Sequence, residues 1–205
     1  MATTYISIDV AVRSLAVGVY QIKPFRSFHL LKDENPNTMN ESLNTIIQPI
    51  LMNVFDINNG SNTRDTTIIE KAQALKNILS EVDRSISEFT NEGNVQVLIE
   101  YQMNANHGAN AIFNMIVMFY AGIYPIEIMK PALKNTLCLH PLLSHCEFLG
   151  RCSSNYKANK EHTKYNMLYL LTMIGQLGMI KDIKKCNHDD IADTLMQCLA
   201  YHLRK

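Results

Sequence analysis

Residues 4–20 read TYISIDVAVRSLAVGVY, and the parsing of this stretch decides the fold. β-Branched and apolar residues fill 4–10 and again 14–20, with a short polar turn around Arg13, which predicts two strands of a hairpin. Residues 26–31 (RSFHLL) predict a third strand, completing a meander. Asp9 interrupts the first of these apolar runs. A carboxylate inside a sheet is costly unless it is paired, metal-bound or at a strand end facing solvent; capping of the turn at Val12 and Arg13 is the simpler alternative role.

Outward from this hairpin, residues 33–65 are rich in Asn, Ser and Thr and contain Pro36 and Gly60. They predict a mostly irregular insertion around one short apolar piece, IIQPILMNVF. From 66 to 90, Ile68, Ala72, Leu75, Leu79, Val82, Ile86 and Phe89 recur at steps of four and three, which predicts a helix with one apolar stripe. That stripe suits packing on a sheet, or a helical seam to a second copy. VQVLIE then predicts a strand ending at Glu100. A helix over about 106–121, a strand at 124–129, loop-like sequence to 155, and helices over about 157–177 and 188–203 follow. Strands first, then alternation, then terminal helices define an α/β domain with a mixed sheet, spanning 1–205 as one unit.

The last helix carries acids again. Asp190 and Asp193 are three residues apart and so share one helical face, whereas Ile191, Leu195, Cys198 and His202 occupy another. Carboxylates this close repel, and Mg²⁺ or Mn²⁺ with oxygen ligands is the natural counter-charge. Asp189 is a possible ligand as well, with helix capping as its alternative role. His188 is a candidate for assisting proton transfer, or simply a polar residue that starts the helix.

The net charge of zero is unevenly distributed. Residues 130–186 carry nine Lys or Arg against three Asp or Glu, a balance of +6, while residues 1–129 carry eight against thirteen, a balance of −5. A basic segment beside acidic residues suits a metal-dependent nuclease, because phosphates need cations and metals need carboxylates. Lys157, Lys160 and Lys164 are candidate phosphate contacts, or the solvated face of their helix. No apolar run approaches the roughly 20 residues that span a bilayer, and MATTYISIDV has no basic-then-apolar leader pattern, so a soluble intracellular protein is expected. Five cysteines without CxxC spacing fit a reducing compartment. The spacing of Cys138, His140, His145, Cys146 and Cys152 matches no zinc rule. Eight glycines without a cluster argue against a phosphate loop of the kinase-like ATPase kind.

Strand-end Asp, strand-end Glu and helical D-x-x-D, in this order, resemble the ribonuclease H-like nucleases and, within them, the RuvC-type Holliday junction resolvases of poxviruses and related large eukaryotic DNA viruses. SIDVAVRSLAVGVY, LIEYQMNANHGANAIFN and NHDDIADTLMQCLAY carry the likeness. It implies a ribonuclease H-like fold, a central mixed five-stranded sheet flanked by helices. It implies that Asp9, Glu100, Asp190 and Asp193 are catalytic metal-binding carboxylates holding two Mg²⁺ (Mn²⁺ substituting) per active site. A homodimer that nicks four-way DNA junctions symmetrically, leaving 5′-phosphate and 3′-hydroxyl ends, is implied too, with no small-molecule cofactor. Its setting would be DNA recombination or the resolution of replicated concatemers, in infected-cell cytoplasm if viral. Lys134 and Lys160 lie where such enzymes contact phosphates; Tyr101, Gln102, Met103 and Asn104 are candidates to reach the junction centre and stack on bases, or simply a polar loop that opens a helix. A less selective DNA or RNA–DNA hybrid nuclease, or a noncatalytic nucleic-acid-binding module, are the alternatives.

Overall fold

A strand that is apolar on both faces belongs inside a sheet, with neighbours on each side and layers above and below. In the computed structural model, residues 2–25, 43–62, 65–90, 94–101, 107–131 and 156–204 are described. The first strand, β1 (Thr3–Val10), pairs antiparallel with β2 (Ser14–Ile22) and parallel with β4 (Asn94–Glu100). Outside these lie β3 (Ile47–Asp56), antiparallel to β2, and β5 (Ile126–Met129), parallel to β4. The described sheet therefore has five strands in the order β3-β2-β1-β4-β5.

The expected meander strand at 26–31 lies outside the described residues, and β2 instead pairs with Ile47–Asp56. This strand comes from within the 33–65 stretch expected to be mostly irregular. Pro49 and the flanking asparagines hide it. As an edge strand it tolerates a residue without an N–H, and the register shifts opposite Val19 and Tyr20, beside that proline.

Helices cover both faces. On one side α1 (Ile68–Thr90) and α2 (His107–Tyr120) lie over Ile6, Ile8, Val10, Val17, Val97 and Ile99. Thr67 and Glu70 start α1 as a capping box, each accepting the other's backbone N–H. Leu75, Leu79, Val82 and Ile86 of the predicted stripe are buried against the sheet, so this stripe is not a seam for a second copy; Ile68, its expected first member, is half exposed. On the other side lie α3 (Tyr156–Met173) and α4 (His188–His202). α3 stops four residues before the expected 177, because Gly175 adopts a left-handed φ of 65° and Gln176 N–H returns to the Leu171 carbonyl. It buries Met167, Leu170 and Leu171, with Ile174 just beyond its end, whereas Tyr165 is exposed.

α4 is buried almost all round, from Ile191 to Ala200, between α3 and the sheet. Two side-chain bonds fix it. Thr194 Oγ1 donates to the Ile191 carbonyl, so the Tyr20 hydroxyl must be the donor in their 2.8 Å bond. Tyr5 Oη meets His202 Nδ1 at 2.9 Å. Gly18 makes the first of these bonds possible, since a Cβ there would overlap the Tyr20 ring two residues along the same face. Gly18→Ala should therefore cost about 1–3 kcal/mol in urea unfolding, and Tyr20→Phe about 1 kcal/mol. An unchanged midpoint in Gly18→Ala would show that the Tyr20 ring is free to move aside.

Candidate metal centre

Strand alternation selects which face each acid serves. On β1, Ile6, Ile8 and Val10 point to the α1–α2 side, so Tyr5, Ser7 and Asp9 point to the α4 side. On β4, Val95, Val97 and Ile99 point to the α1–α2 side, so Leu98 and Glu100 point to the α4 side. The parallel register, with Ile8 opposite Ile99, then brings Asp9 and Glu100 together at the C-terminal ends of adjacent strands. Asp193, one turn into α4, descends onto them with 1% of its surface exposed. One ligand oxygen from each of Asp9, Glu100 and Asp193 lies within 4.8 Å of the other two.

A cation already faces this cluster. Lys160 Nζ, on α3, donates to Asp193 Oδ2 at 2.8 Å and to Asp190 Oδ1 at 3.1 Å, with Asp189 Oδ2 at 3.7 Å. Burial works against the charge on Lys160, but Asp193, Asp9 and Asp190 outweigh it and hold the ammonium above the ordinary lysine range. Asp190 is raised as well: burial pushes its carboxyl up, opposed by Lys160 and aided by Asp189 and Asp193. Asp190 thus joins the centre through Lys160, outside the three-carboxylate group itself, and lies closer to that lysine than Asp189 does.

The other predicted residues fall in different places. Lys164 pairs with Glu161 at 3.9 Å on the surface of α3. Lys157 belongs to the first turn of the same helix. Tyr101 follows Glu100 directly, its N–H bonded to the Met129 carbonyl and its side chain exposed. His188 Nε2 donates to the Ile183 carbonyl at 3.1 Å and so anchors the start of α4. Lys134, Gln102, Met103, Asn104 and the Cys138–Cys152 group lie outside the described residues. Sequence reasoning placed Lys160 among phosphate contacts and missed its inward bonds, whose partners are some 30 residues further along the chain. The only signal was the unneutralised acidic helix that something had to face.

A mixed five-stranded sheet in the order β3-β2-β1-β4-β5 with helices on both faces is a ribonuclease H-like fold, and the three acids sit on its first strand, its fourth strand and its final described helix. No protein-family model and no curated protein sequence matches the chain. Among solved structures it is similar to the fowlpox virus Holliday junction resolvase, with a TM-score of 0.57 and 13% identity over 98% of this chain and 99% of that one. It is also similar to RuvC of Thermus thermophilus, with a TM-score of 0.55 and 14% identity over 97% and 94%. A complex of the fowlpox virus resolvase with substrate Holliday junction DNA gives a TM-score of 0.55 at 15% identity over 97% and 96%.

The centre needs positive charge to stand. Lys160→Met should destabilise metal-free protein by roughly 3–5 kcal/mol, the usual effect of stripping one partner from a buried pair. Added Mg²⁺ or Mn²⁺ should then raise the Tm of Lys160→Met more than that of the wild type. Equal shifts in both would show that metal and lysine answer to different charges.

Proposed function

We propose that this chain is a divalent-metal-dependent endonuclease that resolves four-way DNA junctions. The observation that carries this reading is the convergence of Asp9, Glu100 and Asp193 within 4.8 Å at the end of a RuvC-like sheet. Three oxygen donors around a shared space, with Asp193 buried and an ammonium already drawn to them, fit a hard cation such as Mg²⁺ or Mn²⁺. Bound there, such ions would supply Lewis-acid activation of water and charge stabilisation at the leaving oxygen.

The chain's own residues do the rest. β1 and β4 fix Asp9 and Glu100 on rigid strand ends, and the buried α4 fixes Asp193, so the donor set is preorganised. Lys160 balances the acids when they stand alone. Were metal to take over the charge of the acids, the Lys160 ammonium would be released to orient a substrate phosphate. Asp190 holds Lys160 in that position and completes the carboxylate set. Attack on phosphorus by water leaves a 5′-phosphate and a 3′-hydroxyl, without a protein nucleophile.

Junction cutting by paired nicks calls for two such centres. Helix α2 supports a homodimer: Ile112, Ile116 and Tyr120 face the sheet, while Met118 on the helix and Ile123 just beyond it are 77% and 53% exposed. The resolvase structures similar to this chain support four-way junctions as the substrate; recombination or the resolution of replicated viral DNA is the setting that such a substrate would have. No helix among the described residues is long and apolar enough to cross a membrane.

Labelled junction, linear duplex and RNA–DNA hybrid, incubated side by side with Mg²⁺, Mn²⁺ or a chelator, test the proposal. Junction should be cut preferentially and only with metal; preference for hybrid would make the enzyme a ribonuclease of the same fold. Asp9→Asn, Glu100→Gln and Asp193→Asn should each lower cleavage by at least ~100-fold while junction binding persists. Asp190→Asn should cost more activity than Asp189→Asn. Near wild-type cutting by any of the first three would sink the assignment.

A further inference from the structure

A buried polar pair lies directly beneath the metal centre, in the interface between β1 and α4. Ser7 is two residues before Asp9 on the same face of β1, and Gln197 is four residues after Asp193 on α4. A strand rises about 6.6 Å over two residues and a helix about 6 Å over four, so the two steps match. Contacts fix the levels above and below. Above, Asp9 and Asp193 offer oxygens within 4.8 Å of each other. Below, one further step along each element, the rings of Tyr5 and Tyr201 meet edge to face with centroids 6.1 Å apart. Ser7 and Gln197 therefore face each other between these levels. Rotation about α4 agrees: Gln197 is about 40° from Asp193 and about 60° from Thr194, and both of those reach residues of the sheet.

Packing alone does not account for either side chain. Ser7 is wholly buried and Gln197 is 2% exposed, yet Ser7 Oγ and Gln197 Nε2 hydrogen-bond no atom among the described residues. Their surroundings on α4 include Leu195, Cys198, Leu199 and Ala200, all buried, and the strand partners of Ser7 are Gly18 and Leu98. Buried donors are normally satisfied, and a departure from that rule is commonly found at a functional site. The strongest acceptor nearby is Asp193. Helical side chains lean toward the N-terminus, over the preceding turn, which aims the Gln197 amide at the Asp193 carboxylate; Gln and Asp four residues apart form such pairs. In the metal-free fold Lys160 draws that carboxylate from α3, at 2.8 Å.

We infer that Ser7 and Gln197 are positioning residues of the metal centre: the Gln197 amide donates to the Asp193 carboxylate from one turn below, and Ser7 Oγ braces that amide from β1. The inference rests on the divalent-metal reading of Asp9, Glu100 and Asp193. The pair serves orientation. A donor beneath a carboxylate fixes the plane in which its oxygens meet an ion, and losing such a donor lowers metal affinity. The same amide, unmatched while Lys160 holds Asp193, lowers the stability of the metal-free fold. Positioning and packing thus pull in opposite directions at Gln197, which makes them separable by measurement.

The test uses the full chain with Mn²⁺ alone as the probe, following binding by the spin-resonance signal of the free ion and stability by Tm. Gln197→Met keeps the length and helix propensity of the side chain and removes both N–H groups. It should weaken Mn²⁺ affinity about 10-fold, while its metal-free Tm stays equal to or above that of the wild type. Ser7→Ala should weaken binding about 3-fold. The double variant should bind no more weakly than Gln197→Met alone, because Ser7 acts through the amide. Tyr120→Phe removes a buried hydroxyl that has no hydrogen bond among the described residues and lies on the opposite face of the sheet. It should leave Mn²⁺ affinity within about 2-fold of wild type.

A folded Gln197→Met that binds Mn²⁺ as the wild type does, with or without a lower Tm, overturns the positioning role and leaves the metal centre standing. Equal losses of affinity in Gln197→Met and Tyr120→Phe overturn it too, since general loosening would then explain both. If Gln197→Met does not fold, Ser7→Ala decides: weaker binding at wild-type Tm supports the pair, and wild-type binding overturns it. Wild type that binds no Mn²⁺ overturns the metal reading itself, and the role of the pair with it.

Discussion

Everything in this structure is arranged around one electrostatic demand: Asp193 is a carboxylate with 1% of its surface exposed, lying among two more, and it requires a cation at contact distance. Lys160 meets that demand from α3, which ties the outermost layer of the fold to the innermost acid. The consequence is that α4 cannot be treated as a packing helix that happens to carry acids. Its apolar residues set its depth, its hydroxyl contact to Tyr20 sets its rotation, and together they decide where Asp193 sits.

The sheet divides two kinds of work between its faces. Toward α1 and α2 it presents a largely aliphatic surface of Ile, Val and Leu, which needs only to be buried. Toward α3 and α4 the same strands present Tyr5, Ser7, Asp9, Tyr20 and Glu100, groups that need particular partners. The alternation of β1 and β4 is what makes this division possible, since a slip of one residue would carry Asp9 and Glu100 into the aliphatic core. Hydrophobic burial on one face thus enforces the register that the polar face needs.

Much of this was readable in the sequence. IDV and LIE announce carboxylates at strand ends, and D-x-x-D before an apolar run announces a helical pair, because period 2 and period 3.6 are local properties. Boundaries of α2 and α4 agree with the sequence to within one or two residues for the same reason. What was not readable depended on distant partners. Ile47–Asp56 looks irregular because its proline and asparagines are tolerable only at a sheet edge, and edges are defined by what is absent alongside. Lys160 looks like a surface lysine because its partners come from another helix. Gly18 looks like a weak point in a strand until Tyr20 is seen folded over it.

The contact between Tyr5 and His202 joins residues 197 apart in sequence. β1 and α4 therefore lie against each other although nearly everything else is made between them, and the three acids belong to the ninth, hundredth and hundred-and-ninety-third residues. During synthesis the first hairpin must wait, with one face uncovered, until α4 has left the ribosome. Long-range closure of this kind slows folding. It also means that a nascent or truncated chain lacking α4 holds two acids of the three, so the carboxylate cluster does not exist until the last described helix has docked.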